Sequence, residues 1–317
     1  MKKFLIRISI YLSVLAAITV AVNALYFIVD PEYHSMNIPD NIQICNFGSS
    51  HGQCAFNYED FKGKYICSNF AMSAQTLEYD YRVFQHYKDK LQPGAVVFIN
   101  TSYNTLLGKP EIKGKSFFTK NKRYYKFLPS SLIMQYDLLT DIYVNYFPCL
   151  SPTALTVLVK HMFNLDRTAT IFDTFEIDRK QWNKTVTSRD IELDTPKAFV
   201  RTFAGRKRRQ ESFDTMYSMI DLCRQIGARP ILVTVPFVHN YTDLIRERDP
   251  EFFEYFSSVI EEICRKTGAE YYNYALDERF RRDYSLFKDG DHMNMEGARR
   301  FTNTLLREVL GIDAEAP

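Results

Sequence analysis

Apolar and polar positions follow three different patterns along this chain. In MKKFLIRISIYLSVLAAITVAVNALYFIVD, residues 1–30, Lys2, Lys3 and Arg7 come first and no charged residue follows from Ile8 to Val29. At about 1.5 Å per residue that stretch spans roughly 33 Å as a helix, enough for a bilayer core of about 30 Å. Asp30 and Glu32 lie beyond it. The positive-inside bias therefore predicts a single-pass signal-anchor, with a cytoplasmic tip and the body on the far side of the membrane. Two other readings stay open: Val22-Asn23-Ala24 as a signal-peptidase site that would release the body, and a buried core helix.

After the anchor, short apolar runs alternate with segments of helical period. IQICNF (42–47), KYICSNF (64–70), AVVFIN (95–100), RPILVTVPF (229–237) and AEYYNYA (269–275) read as strands. Leu77, Tyr81, Phe84, Tyr87 and Leu91 share one face of a helix over 77–91, which Pro93-Gly94 breaks. Further helices are predicted over 213–228, 250–268 and 294–311. This order predicts an α/β fold, a mainly parallel sheet with helices on both faces, in residues 31–317. Between about 105 and 210 the alternation lapses. SSLIMQYDLLTDIYVNYF and TALTVLVKHMFNL look helical within otherwise irregular, polar sequence, so this stretch reads as a helical cap inserted into the body.

Composition changes this picture little. A net charge of +2 makes no case for a polyanion such as nucleic acid, and 15% aromatic residues suits either deep packing or contact with sugars or lipid. Cys45, Cys54, Cys67, Cys149, Cys223 and Cys264 show no C-x-x-C or zinc-ligand spacing, so no metal is expected from them, and disulfides stay open.

The candidate chemistry lies at strand ends. Gly48-Ser49-Ser50 follows the first strand, where a turn into a helix can expose a serine hydroxyl. KDGDHMNMEGA (288–298) places Asp289 three residues before His292, ahead of the last helix. A serine nucleophile needs a base, and the base needs a carboxylate to fix its tautomer. One loop supplies both, with Asp291 as a competing carboxylate. NFAMSAQT (69–76) and TSYNT (101–105) follow the second and third strands, so the backbone N–H of Ser50, an N–H near Ala74 and the amide of Asn104 fall on the same rim, where they could meet a developing oxyanion. His51 is a weaker alternative base, since adjacent side chains in a sharp turn rarely meet; His51 and His239 are candidate substrate contacts.

These four blocks, in this order, resemble those of the SGNH (GDSL-like) hydrolase superfamily. FGSS places Ser50 at the nucleophile position. NFAMSAQT has Ala74 where that family's oxyanion glycine usually stands, and TSYN matches Asn104 to the family asparagine, with Ser102 near the usual glycine. DGDHMNMEGA matches Asp289 and His292 to acid and base. The resemblance implies a three-layer α/β/α sandwich and acyl-ester chemistry through an acyl-enzyme, without cofactor. The anchor, GSSH and DHMNMEGARRFT are also similar to extracytoplasmic bacterial members, some of which work beside a membrane-bound O-acyltransferase. That similarity implies O-acylation or deacylation of a cell-surface polysaccharide or teichoic acid-like polymer at the bacterial cell membrane. The departures at Ala74 and Ser102 support the alternative, a catalytically inactive partner that keeps the fold.

Two basic clusters, Lys109 to Lys126 and Arg206 to Arg209, fit either an acidic polymer or anionic lipid, or a solvated face. Tyr124 and Tyr125 inside the first fit either sugar stacking or core packing.

Overall fold

The computed structural model describes residues 1–29, 38–108, 120–151, 154–163, 165, 182–184, 186–203 and 205–314. In chain order the first elements are α1 (Lys2–Val29), β1 (Ile42–Phe47), α2 (Ser50–Ala55), β2 (Cys67–Asn69), α3 (Leu77–Tyr87), β3 (Leu91–Asn100) and α4 (Tyr103–Leu106). They are followed by α5 (Leu138–Tyr146), α6 (Ala154–Met162), α7 (Ser188–Thr202), α8 (Gln210–Gln225), β4 (Arg229–Thr234), α9 (His239–Arg248), α10 (Phe252–Thr267), β5 (Glu270–Asn273), α11 (Glu278–Arg281) and α12 (Met295–Leu310).

The chain divides into two compact units. One comprises Met1–Asn37 and Lys115–Thr174, the other Ile38–Gly114 and Phe175–Pro317. This differs from the expected single cap over about 105–210. Residues 115–174 group with the N-terminal segment, whereas α7, within the same expected cap, belongs to the α/β unit. In the first unit, α1 is the one helix among the described residues long and apolar enough to cross a membrane.

The second unit is built on a five-stranded sheet in the order β2-β1-β3-β4-β5, with every pairing parallel. Strands buried on both faces must be apolar on both, which is why β1, β3 and β4 read as continuous hydrophobic runs rather than alternating ones. Side chains still point alternately. Phe47 faces α3, with its ring 5.1 Å from Phe84. Asn46 and its β3 partner Phe98 face the other way, where Phe98 meets Phe56 and Phe56 meets Phe301 of α12. Helices thus cover both faces: α3 packs on α8, and α2 on α12.

Strand order reverses between β1 and β3, and in open parallel sheets a crevice opens there beyond the carboxyl ends. Asn100 ends β3, and Ser50 and Ser102 follow the two strand ends. Strand limits differ locally from expectation. β3 begins at Leu91 and runs through Pro93-Gly94. Gly94, at φ +83°, donates its N–H to the Gly227 carbonyl at 2.9 Å, so the two residues expected to break a helix lie inside a strand instead. β4 stops at Thr234, which leaves Val235 to Val238 as a buried connection to α9.

Candidate active site

The serine turn is fixed from three sides. Gly48 adopts φ +148° and donates its N–H to Asp80 Oδ1 at 2.9 Å, while its carbonyl accepts from Met72 N–H at 3.1 Å. Asp80 is buried and also accepts from Gln75 Nε2 at 2.6 Å. On the remaining side lies Asn100, so close that a Cβ on Gly48 would stand 2.8 Å from its Cβ. Glycine is required at 48 both for its backbone angle and for this approach. Ser50 then opens α2, where its backbone N–H has no acceptor within the helix.

The acid–base loop is shaped by its own carboxylate. Phe287 and Met293 pair across its neck, and Lys288 N–H donates to the His292 carbonyl at 3.0 Å. Asp289 Oδ1 accepts the N–H groups of Asp291 at 3.1 Å and His292 at 2.8 Å, which turns the imidazole back over the carboxylate. His292 Nδ1 lies 2.9 Å from Asp289 Oδ1 and 3.1 Å from Oδ2, and its Nε2 lies 2.8 Å from Ser50 Oγ. A neutral imidazole with its proton on Nδ1 donates to Asp289 and accepts from the serine hydroxyl. Residues 242 positions apart are thereby in hydrogen-bond contact.

Asp291, expected only as a competitor, reaches the same ring nitrogen at 3.0 Å. Its side chain is fully buried. Arg201 of α7 donates to Oδ1 at 3.1 Å, and His51 Nε2 stands 3.4 Å from Oδ2. His51, expected as a substrate contact, is turned into the protein interior. It is buried, stacked on His292 with ring centroids 4.8 Å apart, and backed by Phe237 at 4.9 Å. α2 turns its imidazole inward, behind the base rather than in front of it.

Charge follows from this packing. Burial alone would lower the His292 pKa, but Asp291 and Asp289 together outweigh burial and raise it well above the ordinary imidazole value. Burial would raise both carboxylates, yet the His292 contact holds each below its usual range. Burial keeps His51 below the ordinary imidazole value despite its approach to Asp291. His51, Asp291 and His292 also bring ligand atoms within 4.8 Å of one another, a grouping of metal-ligand character. The Asp291 oxygen and His292 Nδ1 of that group already face each other, Arg201 and Asp289.

The expected oxyanion donors fall as follows. Ala74 adopts φ +51°, a left-handed conformation that favours glycine. Asn104 lies in the first turn of α4, half-buried, and its backbone carbonyl accepts from Arg209 Nη1 at 3.3 Å. Ser102 is buried and its Oγ accepts from Asn100 Nδ2 at 3.0 Å. His239 opens α9; its Nδ1 is 3.3 Å from the Arg281 carbonyl and its Nε2 is 3.3 Å from Tyr284 Oη.

Three features of this site escaped sequence reading: Arg201, the Asn100 side chain beneath the serine turn, and the Asp80 anchor. Of the basic clusters, Lys109, Lys113 and Lys115 lie outside the described residues. Arg206 pairs with Asp249 and Glu251, Arg208 with Glu262 and Arg209 with Glu78, which fits a solvated, internally neutralised face better than a polyanion site. Tyr124 and Tyr125 are buried, and all six cysteines are free.

No family model matches the chain, and no curated protein matches it. Among solved structures it is similar to one from Bacteroides fragilis NCTC 9343, provisionally described as an acylhydrolase, at 12% identity and a TM-score of 0.40, over 87% of this chain and 91% of that one.

Proposed function

We propose that the chain is a serine-dependent acyl-ester enzyme with Ser50 as nucleophile, His292 as base and Asp289 as the group that orients the base. The observation that carries this reading is the unbroken line of hydrogen bonds Ser50–His292–Asp289, at 2.8 and 2.9 Å. His292 Nε2 takes the hydroxyl proton as Ser50 Oγ bonds to the acyl carbon. The carbonyl oxygen becomes an oxyanion, held by the N–H of Ser50, the N–H near Ala74 and the Asn104 amide. The imidazolium then gives its proton to the departing alkoxide, which leaves an acyl-serine. An incoming hydroxyl, of water in hydrolysis or of a sugar in transfer, loses its proton to His292 and bonds to the acyl carbon; the acyl–Oγ bond then breaks and Ser50 Oγ takes the proton back from the imidazolium. The chemistry calls for no metal or cofactor.

The finer reading is an extracytoplasmic O-acyltransferase or esterase that acts on cell-envelope glycans. The α1 helix would hold it at the membrane beside a membrane-bound O-acyltransferase, and a cell-surface polysaccharide or teichoic acid-like polymer would be the acceptor. What supports it is the apolar length of α1 together with the serine site. A fluorophosphonate probe tests the core of the proposal. Labelling of the full chain that is lost with Ser50→Ala and with His292→Ala is expected. Equal labelling of the wild type and Ser50→Ala, or unchanged ester turnover, overturns it. Comparison of envelope ester content between cells carrying wild type and Ser50→Ala tests the finer reading.

A further inference from the structure

In the first unit, the segment that begins within α5 carries no charged residue from Ile142 to Val159. It folds as α5, a short 3-10 turn at Pro148–Leu150, and α6. Both helices bury one apolar side and expose another. α6 buries Ala154, Val157 and Leu158, yet leaves Leu155 70% and Met162 54% exposed. α5 buries Val144 and leaves Leu138 61% and Leu139 75% exposed. An apolar helix side left uncovered by the protein calls for lipid or another apolar surface.

Their contacts with α1 set the depth. Cys149, in the turn, directs Sγ to the Thr19 carbonyl at 3.8 Å. Higher along α1, Asn23 donates its amide to the Tyr146 carbonyl, and its Oδ1 accepts from Cys149 N–H at 3.4 Å. Higher still, Tyr26 packs against Val157 and Leu158. The turn therefore lies deepest, α5 ends just above it at the level of Asn23, and α6 rises from it toward the C-terminal end of α1. From Thr19 to Val29 the helix climbs about 15 Å, half of a hydrocarbon core of about 30 Å. Charged residues keep to the shallow ends: Asp137 and Asp141 at the start of α5, Lys160 in the last turn of α6. Backbone that leaves a helix at membrane depth must find its partners within the protein. Asn23, a polar side chain in the middle of an apolar span, supplies a donor and an acceptor at the break between α5 and α6.

We propose that α5, the Pro148–Leu150 turn and α6 form a re-entrant hairpin in the leaflet at the C-terminal end of α1, with its outward leucines against lipid acyl chains. The proposal is independent of the serine chemistry and rests on α1 crossing a bilayer. Leu139→Trp and Leu155→Trp, made singly in the full chain and reconstituted into phosphatidylcholine vesicles, test it with lipids brominated on the acyl chains. The wild-type signal from Trp182 is subtracted. Leu25→Trp in α1 serves as reference, and Val200→Trp, exposed in the α/β unit, as the aqueous control. Emission at 139 and 155 is expected to be lost to the same extent as at 25, and kept at 200. Loss at 25 with none at 139 and 155 overturns the hairpin and leaves the anchor standing. No loss at 25 removes the bilayer from α1 and overturns both.

Discussion

Two carboxylates on one imidazole nitrogen make a quantitative demand on the pH profile. A base must be neutral to take the Ser50 proton, so a His292 pKa held above the ordinary value confines activity to the alkaline side. Activity should rise with pH as the ring loses its proton. Asp291→Asn removes one of the two charges that hold the proton on. Unit charges about 4 Å apart interact by about 4 kcal/mol at an effective dielectric of about 20. Arg201 contacts the same Asp291 oxygen, at 3.1 Å, that faces His292 at 3.0 Å, and so offsets part of that attraction. If it offsets half, about 2 kcal/mol remains, or about 1.5 pKa units at 1.36 kcal/mol per unit. The assay is kcat/KM for hydrolysis of a simple aryl ester across pH, which reports the free enzyme's base. The rising limb should move toward acid by roughly 1–2 units in Asp291→Asn. A limb that stays in place, or moves toward alkali, would show that the Asp291 charge does not act on the base and would refute the reasoning.

Arg201→Ala should move the same limb the other way in the same pH profile, because Asp291 then acts on His292 without a competitor. Gly290→Ala would place a Cβ 2.6 Å from Thr195 backbone atoms, which should displace the loop, lower the melting temperature and reduce kcat by about 10²-fold for a shift near 1 Å at His292. Gly48→Ala combines its φ of +148° with a 2.8 Å approach to Asn100, whereas Gly63→Ala, at φ +86°, meets nothing within 4 Å. Denaturant unfolding should therefore show a larger loss at 48 than the roughly 1–2 kcal/mol that the left-handed backbone alone costs.

What sequence reading reached, and what it missed, follows from range. β1 and α12 lie within one residue of their expected limits because a buried parallel strand and an amphipathic helix are local patterns. Ser50, Asp289 and His292 were candidates because each occupies a strand end or a loop before a helix, and the structure brings the three together. Arg201 carried no signal: it is one charged residue on a solvated helix, and its partner lies 90 positions away. Asp291 ranked second because neighbouring side chains usually point apart. The turn at Gly290, with Asp289 capping two N–H groups, directs both carboxylates to Nδ1 instead. The helices at 138–146 and 154–162 were visible, but which unit they join depends on contacts with a helix more than a hundred positions earlier.

The placement of α7 explains why the acid–base loop sits as it does. The helix starts at a capping box, in which Thr187 Oγ1 accepts from Asp190 N–H at 3.2 Å and Asp190 Oδ2 accepts from Thr187 N–H at 2.9 Å. Its inward stripe is Ile191, Thr195 and Ala198, and the last two are small enough to let a loop approach. Gly290 uses that space: it lies against the Thr195 backbone and donates its N–H to Asp194 Oδ2 at 3.1 Å. One turn beyond Ala198, Arg201 reaches Asp291. Position and charge at His292 are therefore fixed together, by one face of one helix. A larger residue at 290 or 195 would disturb geometry and pKa at once, whereas Arg201→Ala acts on charge and leaves the Gly290 contact in place. The two substitutions at this helix thus separate the geometric requirement of the base from the electrostatic one.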